Sequence, residues 1–300
     1  MEDKRKYTKE ELAEILEQLG ISGVCVDRIN AFASDEDGFE YSVWKVDAAD
    51  GSYVLKLAKG LETEVYRSFF AEKKPYAPEL FASCGYDGKT FLLMEYCPGE
   101  DLRICSREKL VMALDALILM QDEFWERIDL SGCAVTMERA LASVEDRGKY
   151  LGSALLEEAY ARFVRAYRAM PRTLCHEDLL PINVLAGDRA VLIDWEYGGM
   201  LPYLSSFARL IAHGRRDKDA FFYMTAADKE FAVGYYYENL VKKHGIPYAE
   251  YRDSLDLFLF YEYCEWVMLG NRYGSREDER YGYYLKLAGA LAAELSATGR

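Results

Sequence analysis

Between Leu174 and Gly199 the chain reads LCHEDLLPINVLAGDRAVLIDWEYGG, with His176, Asp178, Asn183, Asp194 and Glu196 set between short apolar runs. A carboxylate such as Asp178 can orient an acceptor hydroxyl and take its proton. The Asn183 amide oxygen and the Asp194 carboxylate are hard oxygen ligands of the kind Mg²⁺ selects. A hydroxyl held in line with a metal-bound phosphate is what phosphoryl transfer requires. A lone His-x-Asp or a lone Ile-Asp-Trp would be no more than an acidic turn. All four groups, His176, Asp178, Asn183 and Asp194, in this order point instead to chemistry. Glu196, two residues past Asp194, belongs near a second metal or near the acceptor.

These groups need a scaffold. Val184-Leu185 and Ala190 to Ile193 read as the two strands of a hairpin, with Gly187-Asp188 at its turn. Pro181 excludes a helix from the loop that precedes it. Upstream, Thr8-Lys9-Glu10-Glu11 is a capping box opening a helix that carries Leu12, Ile15, Leu16 and Leu19. From Val24 to Ala58 the hydrophobic period changes to two, which predicts strands at Val24 to Phe32, Tyr41 to Val46 and Tyr53 to Ala58. A helix over Leu61 to Phe70 follows, then strands at Phe81 to Cys84 and Thr90 to Tyr96 joined by Tyr86-Asp87-Gly88-Lys89. Pro98-Gly99 breaks the chain and sets a boundary between residues 1–97 and 98–300. Beyond it the pattern is helical: Ser106 to Glu126 and Leu151 to Met170 before the hairpin, then Tyr203 to His213, Ala226 to His244, Ala249 to Gly270 and Asp278 to Ser296. Strands first and helices afterwards predict an α+β fold in two lobes. Lys56, in a strand among Val54, Leu55 and Leu57, is placed to neutralise nucleotide phosphates, and needs an acidic partner.

HEDLLPINVL followed by LIDWEYGG resembles the aminoglycoside phosphotransferase and choline kinase superfamily, whose usual form is HGDLxxxN and then IDWE. The likeness runs, more weakly, from about Val26 to about Gly214. It implies a protein-kinase-like fold: an N-terminal lobe of a five-stranded antiparallel sheet plus one helix, and a mainly helical C-terminal lobe. It implies catalytic roles for Asp178 and His176, and metal ligation by Asn183 and Asp194. By position in ETEVYRSFF, Glu64 matches the glutamate that pairs with the lysine, and Glu62 is the second choice. The stretch Leu92 to Cys97 resembles a kinase hinge, with Met94 at the back of the adenine pocket and with the Glu95 carbonyl and the Cys97 amide bonding the base. The implied cofactors are ATP or GTP and Mg²⁺. Three departures stand out. The family's nucleotide loop offers glycine or small residues, whereas here it carries Asp35, Glu36 and Asp37, leaving Gly38 for close backbone approach. Glu177 stands where the family has glycine, and Ser206 where it has the aspartate that braces the catalytic loop.

Composition narrows the partners. A net charge of −14 repels a phosphate backbone and excludes a nucleic-acid partner, while it suits a cationic substrate. The longest apolar run, Leu110 to Met120, is interrupted by Asp115 and is too short to span a bilayer. There is no basic, apolar leader. Seven cysteines without a CxxC point to reduced thiols in a cytoplasmic protein, and three histidines argue against a zinc site. A monomer or homodimer is expected.

The helices after Gly199 are rich in tyrosine and acids. Glu262, Glu265 and Trp266 lie at i, i+3 and i+4, and a carboxylate beside an indole suits an ammonium group. Arg209 and Arg272 are expected to be structural ion-pair partners. The function expected is an ATP- and Mg²⁺-dependent phosphotransferase acting on a hydroxyl of an aminoglycoside-like or other cationic small molecule. Choline or sugar phosphorylation, and a non-catalytic nucleotide-binding protein, are the alternatives.

Overall fold

The computed structural model describes residues 6–297 apart from 24, 35–37 and 218–219. Helix α1, Lys9–Gln18, starts at the expected capping box: Glu11 N donates to Thr8 Oγ1 at 3.2 Å, and Thr8 N donates to Glu11 Oε2 at 2.8 Å. Its apolar face, Leu12, Ile15 and Leu16, covers one side of an antiparallel sheet and packs with Ile29, Trp44, Leu55 and Phe91.

The sheet is built from β1, Ile29–Ala33, β2, Glu40–Asp47, β3, Ser52–Leu57, β4, Leu80–Tyr86, and β5, Lys89–Glu95, in the order β1-β2-β3-β5-β4. The first strand is shorter than its alternation suggested, because residues 26–28 close a 3-10 turn ahead of it. Asp87 (φ 50°) and Gly88 (φ 72°) both adopt the left-handed turn conformation that matches strand twist in a two-residue hairpin. Helix α2, Glu62–Phe69, lies between β3 and β4.

After the hinge, β6, Glu100–Asp101, leads into the helices α3, Arg107–Glu123, α4, Met137–Gly148, and α5, Ala154–Ala169. Helix α4 was not expected from the sequence. Its signal was Thr136, whose hydroxyl accepts from Arg139 N, followed by Ala140 and Val144 on the buried face. The segment that carries His176 to Glu196 then runs through β7, Arg172–Cys175, β8, Val184–Ala186, β9, Ala190–Leu192, and β10, Gly199–Pro202. Strands β7 and β10 pair antiparallel, and so do β8 and β9, with Val184 opposite Leu192. A Cβ on Gly187 would lie 2.2 Å from the Pro98 carbonyl oxygen, so the hairpin turn can pack on the hinge only with glycine there. The chain ends in α6, Leu204–Ala212, α7, Ala226–Asn239, α8, Tyr248–Tyr273, and α9, Glu279–Ala297. The expected helix to His244 stops at Asn239, and a 3-10 turn over 241–244 takes its place.

The main core is continuous from Val65, Tyr66 and Phe69 of α2 through Trp195 and Phe207 to Phe260 of α8. It therefore joins the sheet lobe to the helical lobe rather than stopping at the boundary. Among the described residues, no helix is long and apolar enough to cross a membrane.

Candidate active site

The loop between β7 and β8 is held from three sides. His176 N donates to Ser206 Oγ at 2.8 Å, so the serine braces the loop with its hydroxyl. The His176 ring is buried against Trp195, and its Nε2 meets the Ile193 carbonyl at 2.7 Å; a carbonyl only accepts, so Nε2 carries the proton. Burial, outweighing that bond, holds the ring's pKa below its ordinary value. Asn183 Nδ2 donates to the Asp178 carbonyl at 2.7 Å, and Ile193 N donates to the Asn183 carbonyl at 3.0 Å. These bonds draw Asp178, Asn183 and Asp194 to one place. His176, expected to be catalytic, has no exposed surface and instead ties the loop of Asp178 to the loop of Asp194. It is a positioning residue.

Asp194 adopts φ 69°, a left-handed conformation uncommon for a non-glycine residue. Its Oδ1 accepts from Lys56 Nζ at 2.7 Å, and Lys56 also donates to Glu62 Oε1 at 2.6 Å. Lys56 and Glu62 are both buried. Burial opposes every charge in this cluster. Even so, the two carboxylates raise the lysine's pKa, and the lysine lowers that of Asp194.

The lysine's partner is thus Glu62, not Glu64. Helix phase explains the correction. Glu62 shares the buried face of α2 with Val65, Tyr66 and Phe69, whereas Glu64 lies two residues, or about 200°, further round. Counting back three from Val65 would have found it. Glu64 serves the helical lobe instead, where its Oε1 accepts from Ala134 N at 2.8 Å. Leu61 N donates to the Glu196 carbonyl at 3.1 Å, and a Cβ on Gly60 would sit 2.7 Å from that same oxygen. Helix α2 is therefore fastened to the helical lobe at two points.

At the hinge, Met94 is buried in the core. The Glu95 side chain is gripped by Arg189 Nη2 at 2.7 and 2.8 Å. Cys97 lies past the end of β5, and its amide makes no backbone hydrogen bond among the described residues. Asp35, Glu36 and Asp37 of the nucleotide loop lie outside the described residues.

Beside Asp178 opens a cavity of about 450 Å³. Its wall on α4 presents Arg139, Ser143 and Arg147, and the wall on α8 presents Phe258, Tyr261, Glu262 and Glu265. Glu196 and Tyr197 line it from the loop after β9, while Glu177, Ser205 and Tyr167 also face it. Burial first, and the Asp194 charge second, raise the Glu196 carboxyl's pKa.

Arg209 dominates the electrostatics here. Its Nη2 donates to Asp178 Oδ1 at 2.9 Å and its Nε to the same oxygen at 3.2 Å. Nη1 donates to Glu262 Oε2 at 2.9 Å and to Glu265 Oε2. Asp178 Oδ2 has no such partner among the described residues. The arginine is structural, as expected, but it also orients Asp178. The correction concerns the acids: Glu262 and Glu265 are both bonded to Arg209, which also holds Asp178, so they are engaged in an internal ion cluster rather than set out for a cationic substrate. Although burial opposes its charge, Glu262 is held below the ordinary pKa by Arg209 and His213. His213, Glu262 and Glu265 have metal-ligand spacing, but the guanidinium already sits among them. Trp266 leaves the cavity altogether. One residue on from Glu265, it turns to α9, stacks on Tyr284 at 6.2 Å and carries Arg280 at 4.2 Å over its ring.

Residues 32–240 match the model of the phosphotransferase enzyme family. The chain belongs to that family. This phosphotransferase is a small-molecule kinase with a protein-kinase-like fold and a hydroxyl as acceptor. No curated protein matches it. Among solved structures, it is similar to an aminoglycoside phosphotransferase in ternary complex with ADP and hygromycin B, at 15% identity, 93% of this chain, 97% of that one and TM-score 0.57. A choline/ethanolamine kinase family protein from Mesorhizobium loti has 18% identity, with coverage of 96% and 92% and TM-score 0.57. An aminoglycoside phosphotransferase from Streptomyces rimosus with ADP and streptomycin has 15% identity, with coverage of 86% and 98% and TM-score 0.54. At these identities the likeness is one of fold.

Proposed function

We propose that this phosphotransferase transfers the γ-phosphoryl group of ATP, in an Mg²⁺-dependent reaction, to a hydroxyl of a small acceptor that also carries a positive charge. The observation that carries the reading is that Asp178 lines the cavity while Asn183 is bonded to its backbone carbonyl, with Lys56 bonded to Asp194 on the adjoining loop. In this reading the acceptor hydroxyl lies against Asp178 Oδ2, since Arg209 occupies Oδ1. The acceptor oxygen bonds to the γ-phosphorus as the bond from that phosphorus to the β,γ-bridging oxygen breaks, and Asp178 takes the proton. Lys56, held by Glu62, meets the α- and β-phosphates. The backbone at Glu95 and Cys97 receives the adenine, beside Met94, in a cleft between residues 1–97 and 98–300.

The metal test is one of donor chemistry. Asn183 donates its amide nitrogen to the Asp178 carbonyl, so its oxygen is left for a cation. Asp194 gives Oδ1 to Lys56 and keeps Oδ2. A neutral and an anionic oxygen fit Mg²⁺. When bound, the ion offsets the developing charge on the phosphates.

Support for a cationic acceptor comes from the lining as a whole: Glu177, Asp178, Glu196, Glu262 and Glu265 face three arginines, so carboxyls remain in excess even with Arg209 bonded to three of them, and Tyr197 offers an aromatic ring. Hygromycin B and streptomycin in the neighbours' complexes are acceptor-sized precedents. The test is ADP release with amino-sugars, choline and neutral sugars at low and high ionic strength. A cationic acceptor should be best, with kcat/KM falling as salt rises. A neutral best acceptor would overturn the charge requirement, and full turnover by Asp178→Asn would overturn the mechanism.

A further inference from the structure

Arg189, in the turn between β8 and β9, grips the sheet lobe at two places. Its Nη2 donates to Glu95 Oε1 at 2.8 Å and to Oε2 at 2.7 Å, and its Nη1 donates to the Pro75 carbonyl at 2.7 Å and the Lys74 carbonyl at 3.1 Å. Glu95 is fixed again by Glu79, whose N donates to Glu95 Oε2 at 3.1 Å and whose carbonyl accepts from Glu95 N at 2.8 Å. Burial opposes the Glu95 charge, yet Arg189 and the Glu79 amide hold its pKa below the ordinary value, so the pair stays ionised at neutral pH.

The far side of the hinge is held as well. A Cβ on Gly99 would lie 2.8 Å from the Ala186 carbonyl oxygen, and Glu100 and Asp101 pair with Ala186 and Leu185 of β8. Residue 95 and residues 99–101 are therefore all fastened to the β8–β9 hairpin, and Tyr96, Cys97 and Pro98 are strung between fixed ends. Leu192 N, on the hairpin's other strand, donates to the Tyr76 carbonyl at 2.8 Å. Asn183 and Asp194 stand at the open end of that same hairpin.

We propose that the clamp between Arg189 and Glu95 makes the hinge a rigid template that selects adenine over guanine nucleotides, with Arg189 as its positioning residue. The proposal rests on the nucleotide reading, in which the base lies against the Glu95 carbonyl and the Cys97 amide.

Adenine and guanine present the same edge with opposite polarity. Adenine offers its N6 amino donor beside the N1 acceptor, whereas guanine offers the O6 acceptor beside an N1–H donor. Against a carbonyl at Glu95 and an amide at Cys97, adenine makes two hydrogen bonds. Guanine sets acceptor against acceptor and donor against donor. It recovers only by sliding along the edge or by drawing the hinge with it. The clamp blocks the second route. The first would pull the phosphates away from Lys56 and from a cation at Asn183 and Asp194, because hinge and metal ligands ride on one hairpin. Polar groups left mismatched reject the wrong ligand strongly.

The test is calorimetric titration of the full chain, in Mg²⁺, with ADP, GDP and inorganic tripolyphosphate. The wild type should bind ADP at least about 100-fold more tightly than GDP. Arg189→Leu and Glu95→Leu should each weaken ADP by about tenfold while GDP and tripolyphosphate hold their affinities, so the selectivity narrows. The base meets only main-chain atoms of residue 95, so an effect of Glu95→Leu on base choice must act through the position of the strand. The double variant should lose no more than either single one, since both remove the same clamp. Glu95→Gln, which keeps an oxygen for Arg189, should narrow the selectivity less and guards against a variant that fails to fold. The clamp is overturned if the wild type takes GDP as tightly as ADP, if both leucine variants keep the wild-type ratio, or if tripolyphosphate weakens in step with ADP. Absence of binding by all three probes would sink the nucleotide reading and the clamp with it.

Discussion

Lys56 and Arg209 are both cations set among carboxylates, one beside Asp194 and one beside Asp178, and they are used in opposite ways. Lys56 has three N–H donors, of which Glu62 and Asp194 take one each. A donor is left over, on a compact charge that can reach a phosphate. Arg209 is a rigid fork whose Nε, Nη1 and Nη2 all meet carboxylates, those of Asp178, Glu262 and Glu265. One N–H, on Nη2, is left over, but it is fixed in the plane of the fork and cannot turn to meet a ligand as an ammonium can. The difference shows that burying a cation between acids does not by itself mark a binding site. What matters is whether the remaining hydrogen-bonding capacity is free to turn toward a ligand. By the same test, Glu262 and Glu265 are spent on structure.

The contrast can be broken most forcefully at the arginine. Arg209→Met strands three carboxylates, and should cost about 3–5 kcal/mol in stability, the range for removing one partner of a buried ion pair. Chemical denaturation measures it; a loss below about 1 kcal/mol would show that the acids are solvated after all. Lys56→Met should act on function instead, raising the nucleotide KM and lowering kcat/KM by roughly 10- to 100-fold, the worth of a charge-assisted bond. Glu62→Gln should follow it more weakly. Steady-state kinetics in which Glu64→Gln mimics Lys56→Met and Glu62→Gln does not would contradict the ion pair.

The Glu177 carboxyl, whose pKa burial raises, should behave oppositely to both cations. Glu177→Gly relieves a left-handed residue and should stabilise the fold by about 1–2 kcal/mol. The pH dependence carries the same signature. Folding raises this carboxyl's pKa from 4.5 to about 7, so the folded state binds more protons in that interval. Its contribution to stability therefore falls as pH rises from 4.5 through about 7. Calorimetry across that range should show a shallower fall for Glu177→Gln; identical slopes would remove Glu177 as the titrating group. The smallest effect is expected at Glu64→Gln. It keeps an oxygen for the Ala134 amide and should cost no more than about 1 kcal/mol, with the nucleotide KM unchanged.

Much of the candidate site was legible before any tertiary contact was known. His176, Asp178, Asn183 and Asp194 lie within one loop and hairpin, and Pro181 and the β8–β9 pairing leave that short segment few ways to fold. The sheet followed from alternation, and even the Glu62 pairing was present as helix phase relative to Val65, though it was read at Glu64 by position. The acceptor side was not legible. Arg209 reaches acids 31, 53 and 56 residues away, and no local period encodes which acids it will neutralise. Trp266 was read on one face with Glu265, yet α9 packs against α8 and takes it elsewhere. Local spacing and hydrogen bonding determined the loop that holds Asp178, because covalent connection holds those groups close. Only the packing of α4, α5, α6 and α8 decided which acids Arg209 engages and which side chains line the cavity, because pairing between distant side chains depends on how the helices meet.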